Sequence, residues 1–366
     1  MYLVVSDFHA DMYTQYAKPL EHESWNDRFQ NQLDKLNQIF NMAIENEERV
    51  IFNGDLFNSR VDINQVVYSQ VVTLIIKRSK ELFDTLDDPD HPVVYMLAGN
   101  HDQYDNSPIP ENSLEVFEIA NPAIQVVSKV KTFSDGLGNY LTFVPYSEDT
   151  QMLKDQLAQE VDNNKNIPRE NKFLFAHVGV SGAVQGRWNH RLGGAFSQKD
   201  LKFSKFNQAL LGHYHKRQQL ADNAWYVGNT IPLNHNDDGM EKGIFEVAKD
   251  INQTKFMPLK SPMFYTLSLD DTKLSPDEIQ NLIQCNYVRV IVNQKDSLRK
   301  LQAKSAKEEL NVNISYEPTV KTESRLGISA DASTKEIVSK YADKFYPEAK
   351  QEALNVLNEA NKNLEI

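Results

Sequence analysis

Five short apolar runs end in residues that can hold a cation. Leu3-Val4-Val5-Ser6 leads into Asp7 and His9, and Val50-Ile51-Phe52 into Asn53, Gly54 and Asp55. Val93-Val94-Tyr95-Met96-Leu97 leads into Gly99, Asn100, His101 and Asp102. Phe173-Leu174-Phe175 leads into His177, and Ala209-Leu210-Leu211 into Gly212, His213 and His215. Carboxylate and imidazole together suit Mn, Fe or Zn better than Ca. Asp7 and His9 are two residues apart at a strand end, so alternation predicts that both face one side. His213 and His215 repeat that spacing. Gly54, Gly99 and Gly212 each precede a candidate ligand, where a missing Cβ lets backbone approach a crowded centre. A single histidine is more often a packed or surface residue than a ligand. The joint pattern carries the reading, because five of the nine histidines follow such runs.

The runs read as buried strands. Between them lie helical stretches. Trp25, Phe29, Leu33, Leu36, Phe40 and Ala43 recur every three or four residues, and Ser24 with Asp27 reads as a capping box. A second helix is predicted over about Ile63–Leu86 and a third over about Glu148–Val161. Strands alternating with helices predict an α/β domain, whose ligands bind beyond the C-terminal ends of the strands. Five such ends are therefore expected to converge on one site. After Trp225 come β segments near Trp225–Gly228, Gly243–Ala248 and Thr254–Leu259. A small α+β unit follows Ser261-Pro262: strands near Phe264–Leu269, Tyr287–Val292 and Val312–Tyr316, and helices near Pro276–Gln284 and Ser297–Leu310. Glu323–Ser333 reads as a linker, and Thr334–Phe345 and Pro347–Leu364 as two amphipathic helices. The expected organisation is thus 1–260, 261–322, 323–333 and 334–366.

The 366 residues carry 39 Lys+Arg against 51 Asp+Glu, a net charge of −12. An acidic chain acting on a polyanion needs metal, a local basic patch or a partner to supply positive charge. The one cysteine, Cys285, excludes an internal disulfide and a multi-thiolate metal site, and is expected to be a buried or semi-buried spectator. No apolar run of about 18 residues occurs, and the first residues do not read as a signal peptide. No membrane association and a cytoplasmic location are expected.

Asp7-Phe8-His9, Gly54-Asp55, Gly99-Asn100-His101-Asp102, His177 and Gly212-His213-Tyr214-His215 stand in the order of the metallophosphoesterase signature. Over roughly residues 1–260 the chain resembles that superfamily. The resemblance implies a calcineurin-like β-sandwich with flanking helices, to which the later residues would add a small α+β capping domain and a C-terminal helix pair. It also implies two divalent metals, most often Mn²⁺, bridged by Asp55. Asp7, His9 and His215 would complete one site, and Asn100, His177 and His213 the other. Such a pair sits about 3.5–4 Å apart, lowers the pKa of water and clamps phosphate oxygens. His101 would assist the leaving oxygen. Asp102 would either orient His101 or cap the following loop.

Gly54-Asp55-Leu56-Phe57, the unit after Pro262 and the terminal helices resemble the SbcD-type DNA repair nucleases, notably those of large phages. That second resemblance implies a 3′→5′ duplex exonuclease and single-strand endonuclease, working in recombination and repair in a bacterial or phage-infected host cytoplasm. It implies DNA as substrate, an SbcC-like ATPase bound through the C-terminal helices, and a homodimer. Asn58 departs from the family, several of whose members have histidine there, and so does Ala10-Asp11. Arg187 and Arg191, with Lys300 and Lys304 on one helix face, are candidate DNA contacts. The competing readings are a metallophosphatase or cyclic-nucleotide phosphodiesterase on the same fold, and a non-enzymatic scaffold.

Overall fold

The computed structural model describes residues 1–107, 110–186, 189–269, 272–294, 299, 312–317, 326 and 332–362. Its centre is a sandwich of two six-stranded mixed sheets. The first contains β1 (Tyr2–Val5), β2 (Arg49–Asn53), β3 (Val94–Leu97), β4 (Ile124–Val127), β13 (Gly243–Val247) and β14 (Lys255–Pro258), in the order β14-β13-β1-β2-β3-β4. The second contains β5 (Lys131–Ser134), β6 (Tyr140–Val144), β7 (Lys172–His177), β10 (Gln208–Gly212), β11 (Gln218–Ala221) and β12 (Ala224–Tyr226), in the order β11-β12-β10-β7-β6-β5. A short hairpin, β8 (Val184–Gln185) with β9 (His190–Arg191), leaves the loop after β7.

The central strands read as unbroken apolar runs because both of their faces are covered. In β1, Tyr2 and Val4 enter the core between the sheets with Ile51, Phe143, Phe175 and Leu210. Leu3 and Val5 point the other way, to α1 (Asp27–Asn46), α2 (Gln65–Leu86) and α3 (Glu115–Ala120). The outer face of the second sheet is covered by α4 (Thr150–Asn163) through Leu153 and Leu157. The fold is thus an α/β sandwich of two mixed sheets flanked by helices.

The first helix starts differently from its expected capping box. Its N-cap is Asn26, whose side chain accepts from Phe29 N–H. Cys285, expected to be buried or half-buried, is exposed, because it ends α5 (Pro276–Cys285) on the solvent side. That helix packs on a separate three-stranded parallel sheet, β15 (Phe264–Ser268), β16 (Tyr287–Val292) and β17 (Val312–Tyr316). The helix expected over Ser297–Leu310, with Lys300 and Lys304, falls almost wholly outside the described residues, as do most of the expected linker and Arg187. Two helices close the described chain, α6 (Thr334–Phe345) and α7 (Lys350–Lys362), joined by a short 3-10 turn at Pro347–Ala349. No helix among the described residues is long and apolar enough to cross a membrane.

Candidate metal centre

β1, β2 and β3 of one sheet and β7 and β10 of the other all end at the same edge of the sandwich. Asn53, the last residue of β2, ties the two sheets there, with Nδ2 donating to the Leu210 carbonyl at 3.1 Å. His177 ends β7 and is paired with Gly212 of β10. Beyond β1 and β2 the two loops continue side by side: Asp7 N–H donates to the Gly54 carbonyl at 3.1 Å, His9 N–H to Asp55 at 3.0 Å and Ala10 N–H to Leu56 at 2.8 Å.

Strand alternation is not what brings Asp7 and His9 together, since β1 stops at Val5. Both residues are left-handed, at φ 47° and 50°, and so are Asp55 at 56° and His213 at 94°. Sparsely populated backbone of this kind costs roughly 1–3 kcal/mol per residue and persists only where its surroundings impose it. Here the neighbouring loop does so.

The three glycines leave no room for a side chain. A Cβ on Gly54, itself at φ +92°, would lie 2.0 Å from His177 Nδ1. One on Gly99 would lie 2.2 Å from Asp55 Oδ1, and one on Gly212 would lie 2.4 Å from the Asn53 carbonyl oxygen. Gly54→Ala is therefore expected to lose more than about 1 kcal/mol of stability and to displace the His177 ring. Urea unfolding and a metal titration of the variant check both effects.

Asp7, His9, Asp55 and His177 are buried, whereas Asn100, His101, His213 and His215 are partly open. The candidate ligand atoms converge. His9 Nε2 lies 3.1 Å from His215 Nε2 and 3.7 Å from Asp55 Oδ2, and His215 Nε2 lies 4.0 Å from Asp7 Oδ1. His177 Nε2 lies 3.2 Å from Asp55 Oδ2, and Asn100 Oδ1 is 3.3 Å from His177 Nε2 and 2.9 Å from His213 Nδ1. Atoms that share an ion at about 2.0–2.2 Å lie roughly 3–4 Å apart. Three groups of such residues meet within 4.8 Å: Asp7–His9–His215, Asp7–Asp55–His177 and His9–Asp55–His101. Asp55 belongs to two of them.

The electrostatics also fit cations. Burial lowers His9 to about 3, so its ring is neutral, and its Nδ1 is buried without a partner. Burial likewise lowers His213 to about 4. Burial alone would raise Asp55, but the charge and hydrogen bond of His177 hold it far below the carboxylate range. Burial alone would lower His177, but Asp55 raises it to about 9. The neutral rings of His9 and His213 do not offset the two buried carboxylates, which need positive charge beside them to be stable.

A proton therefore occupies the His177–Asp55 pair of the metal-free protein near neutral pH. Metal must displace it, because only neutral imidazole ligates. Below about pH 9, metal affinity is expected to fall as pH falls, by up to about tenfold per unit for one displaced proton. Calorimetry in buffers of different ionisation enthalpy would count the proton released. Its absence at pH 7 would contradict the pairing.

Asp102 does not orient His101. Its carboxylate accepts backbone N–H bonds from Asp55 at 2.8 Å, Leu56 at 3.0 Å, Phe57 at 3.3 Å and Gly99 at 3.0 Å, stapling the loops after β2 and β3 together. Burial, then the Asp55 charge, raises Asp102 to about 7 against those donors. His101 is held instead by Asn58, whose carbonyl accepts from His101 Nδ1 at 2.5 Å. Asn58 Nδ2 in turn donates to Asp11 Oδ2 at 2.7 Å, so the two positions that depart from the family pattern touch each other. Arg191 is exposed on the short hairpin.

A buried ion pair that the sequence did not signal lies beneath His215. Lys242 Nζ donates to Asp237 Oδ1 at 2.6 Å and to the His215 carbonyl at 3.1 Å. The sequence signal, a lysine just before a strand, is too common to have found it.

The sequence model of one family, described as Calcineurin-like phosphoesterase, matches residues 2–217, which include every candidate ligand. The chain belongs to the calcineurin-like phosphoesterase family. Among solved structures it is similar to a dimetal phosphatase from Danio rerio, at 10% identity and a TM-score of 0.33, over 67% of this chain and 90% of that one. No curated protein matches the sequence. As a calcineurin-like phosphoesterase with buried His/Asp clusters, the chain is a metal-dependent phosphoesterase, and those clusters fit a dimetal site.

Proposed function

We propose that this phosphoesterase is a Mn²⁺-dependent DNA nuclease, cutting duplex ends 3′→5′ and single strands internally. In this reading it is the catalytic, homodimeric subunit of an SbcC–SbcD-like recombination and repair complex. The observation that carries the reading is the extra sheet seated beside the ligand loops. Arg28 of α1 lies between rings, 4.7 Å from Tyr13 and 4.7 Å from Tyr287 of β16. Tyr13 in turn donates from its hydroxyl to the His9 carbonyl at 3.0 Å. The added unit thus borders the loop that bears His9 and widens the surface that a long polymer would cross. A small phosphomonoester has no need of it. The exposed apolar residues Ile337, Tyr341 and Phe345 on α6 and Val356 on α7 support a helix-in-groove partner such as the ATPase coiled coil.

Asp7, His9, His215 and Asp55 would hold one ion, and Asn100, His177, His213 and Asp55 the other. When bound, the ions supply Lewis acidity toward phosphate oxygens and activate water near neutral pH. The open rim formed by Asn100, His101, His213 and His215 admits the phosphodiester. The Asn58 carbonyl accepts from His101 Nδ1–H, so Nε2 could give a proton to the leaving oxygen only from the doubly protonated ring, which would keep its Nδ1–H.

The test is cleavage by purified protein with Mn²⁺ of linear duplex DNA and circular single-stranded DNA, with a small phosphomonoester and a cyclic nucleotide as controls. DNA cleavage is the expected result. Turnover of the small esters alone would favour the phosphatase or cyclic-nucleotide reading. DNA left intact both by the chain alone and with an SbcC-like ATPase added would defeat the nuclease reading.

A further inference from the structure

A second basic feature lies at the far end of the second sheet. There a concavity of about 410 Å³ is lined by Lys165, Lys172, Lys199, Lys202 and Lys205, with Asp162 as its acidic side chain. Lys172 opens β7 and His177 ends it, five steps of about 3.3 Å apart, so the basin is roughly 17 Å from the ligand cluster. In a chain of net charge −12, five lysines line this one concavity, and like charges gathered together repel one another unless something negative joins them.

Carboxylates do little of this. Asp162 meets Lys165 at 3.3 Å, and Asp200 is turned to Lys154 at 3.2 Å. Among the described residues, no carboxylate lies within 4 Å of Lys172, Lys199, Lys202 or Lys205 in any ion pair the structure contains. Lys172 is buried, 7% exposed, with only the Asn164 carbonyl at 3.4 Å to accept from its Nζ. A part-buried ammonium with one long hydrogen bond has little in the chain to offset its charge. The lining has no aromatic ring on which a base could stack and no guanidinium fork. Such a wall recognises charge rather than base or sugar, as lysine does when it binds phosphate as a point charge.

We propose that this lysine basin binds the phosphates of a polyanion at a site separate from the metal centre. The inference stands apart from the nuclease reading, because it requires neither metal nor turnover. The phosphates could come from a free polyphosphate or from a nucleic-acid backbone, and the experiment separates the two.

The full chain, kept in chelator, is titrated calorimetrically with sodium tripolyphosphate, and separately with a short DNA duplex across a salt series. Tripolyphosphate is expected to bind. Its affinity is expected to fall at least about tenfold in Lys199→Glu/Lys202→Glu/Lys205→Glu, to fall in Lys172→Met, and to be unchanged in Asp55→Ala. A control of equal charge change at exposed lysines away from the basin, Lys77→Glu/Lys80→Glu/Lys260→Glu, is expected to retain binding. Duplex affinity that falls with the basin triple variant, with a salt slope lower by about two to three, would identify backbone phosphates as the source. Duplex affinity unaffected while tripolyphosphate binding is lost would identify free phosphates. No tripolyphosphate binding, equal loss in the control set, or loss in Asp55→Ala would overturn the proposal. The surface triple variant keeps the test decisive if Lys172→Met does not fold.

Discussion

Asp55→Ala is expected to lower phosphoester hydrolysis by on the order of 10³-fold or more, and to reduce the bound divalent ions from two per chain to one or none. Asp55 contacts both halves of the cluster, with its Oδ2 3.2 Å from His177 Nε2 and 3.7 Å from His9 Nε2. Its other oxygen accepts from His101 N–H at 2.8 Å, so the carboxylate also places the residue beside it. Without Asp55, His177 loses the partner that raises it to about 9, and its titration moves down. Elemental analysis of the dialysed protein and NMR of the metal-free His177 ring read the two effects separately. His101→Ala is the companion variant, expected to keep both ions while losing about 10²–10⁴ in rate, the usual share of a general acid or base. An Asp55→Ala protein that keeps two ions and its activity would remove the bridging role.

The second large effect is one of stability. Lys242 and Asp237 are 4% and 3% exposed, and their ion pair supports the His215 carbonyl from beneath. Lys242→Met leaves Asp237 charged, buried and uncompensated, which typically costs about 3–5 kcal/mol. Lys242→Met/Asp237→Asn is expected to recover more than half of that loss. The amide removes the charge while its oxygen still accepts from Leu233 N–H, now at 2.9 Å from Asp237 Oδ2. Urea midpoints with an unchanged slope would measure both. A single variant as stable as the parent would mean that the pair contributes nothing net.

The sequence disclosed the chemistry of the site more fully than its architecture. The five strand ends were legible because β1, β2, β3, β7 and β10 are buried on both faces and so read as apolar runs. Their assignment to two different sheets was not, since pairing partners leave no trace in a run of Val, Leu and Phe. The strands β4, β5 and β6 went unread. β5, Lys131-Thr132-Phe133-Ser134, is a half-exposed edge strand with one large apolar side chain. The left-handed backbone at Asp7, His9, Asp55 and His213 was equally hidden. Aspartate and histidine enter that region more readily than most residues, but nothing local requires them to. The choice at Asp102 between orienting His101 and capping a loop could not be made from sequence, because its partners are backbone N–H groups, which every sequence supplies.

Those left-handed residues set two selective pressures against each other. A library sorted for thermal tolerance in chelator would enrich glycine at positions 7, 9, 55 and 213, where the backbone is uncomfortable and the side chains crowd one another. The same library sorted for turnover would restore Asp, His, Asp and His. At Gly54, Gly99 and Gly212 the two sorts would agree, since any larger residue collides with the cluster. The centre would then be found from variant frequencies alone, as four positions that diverge between the sorts beside three that never vary.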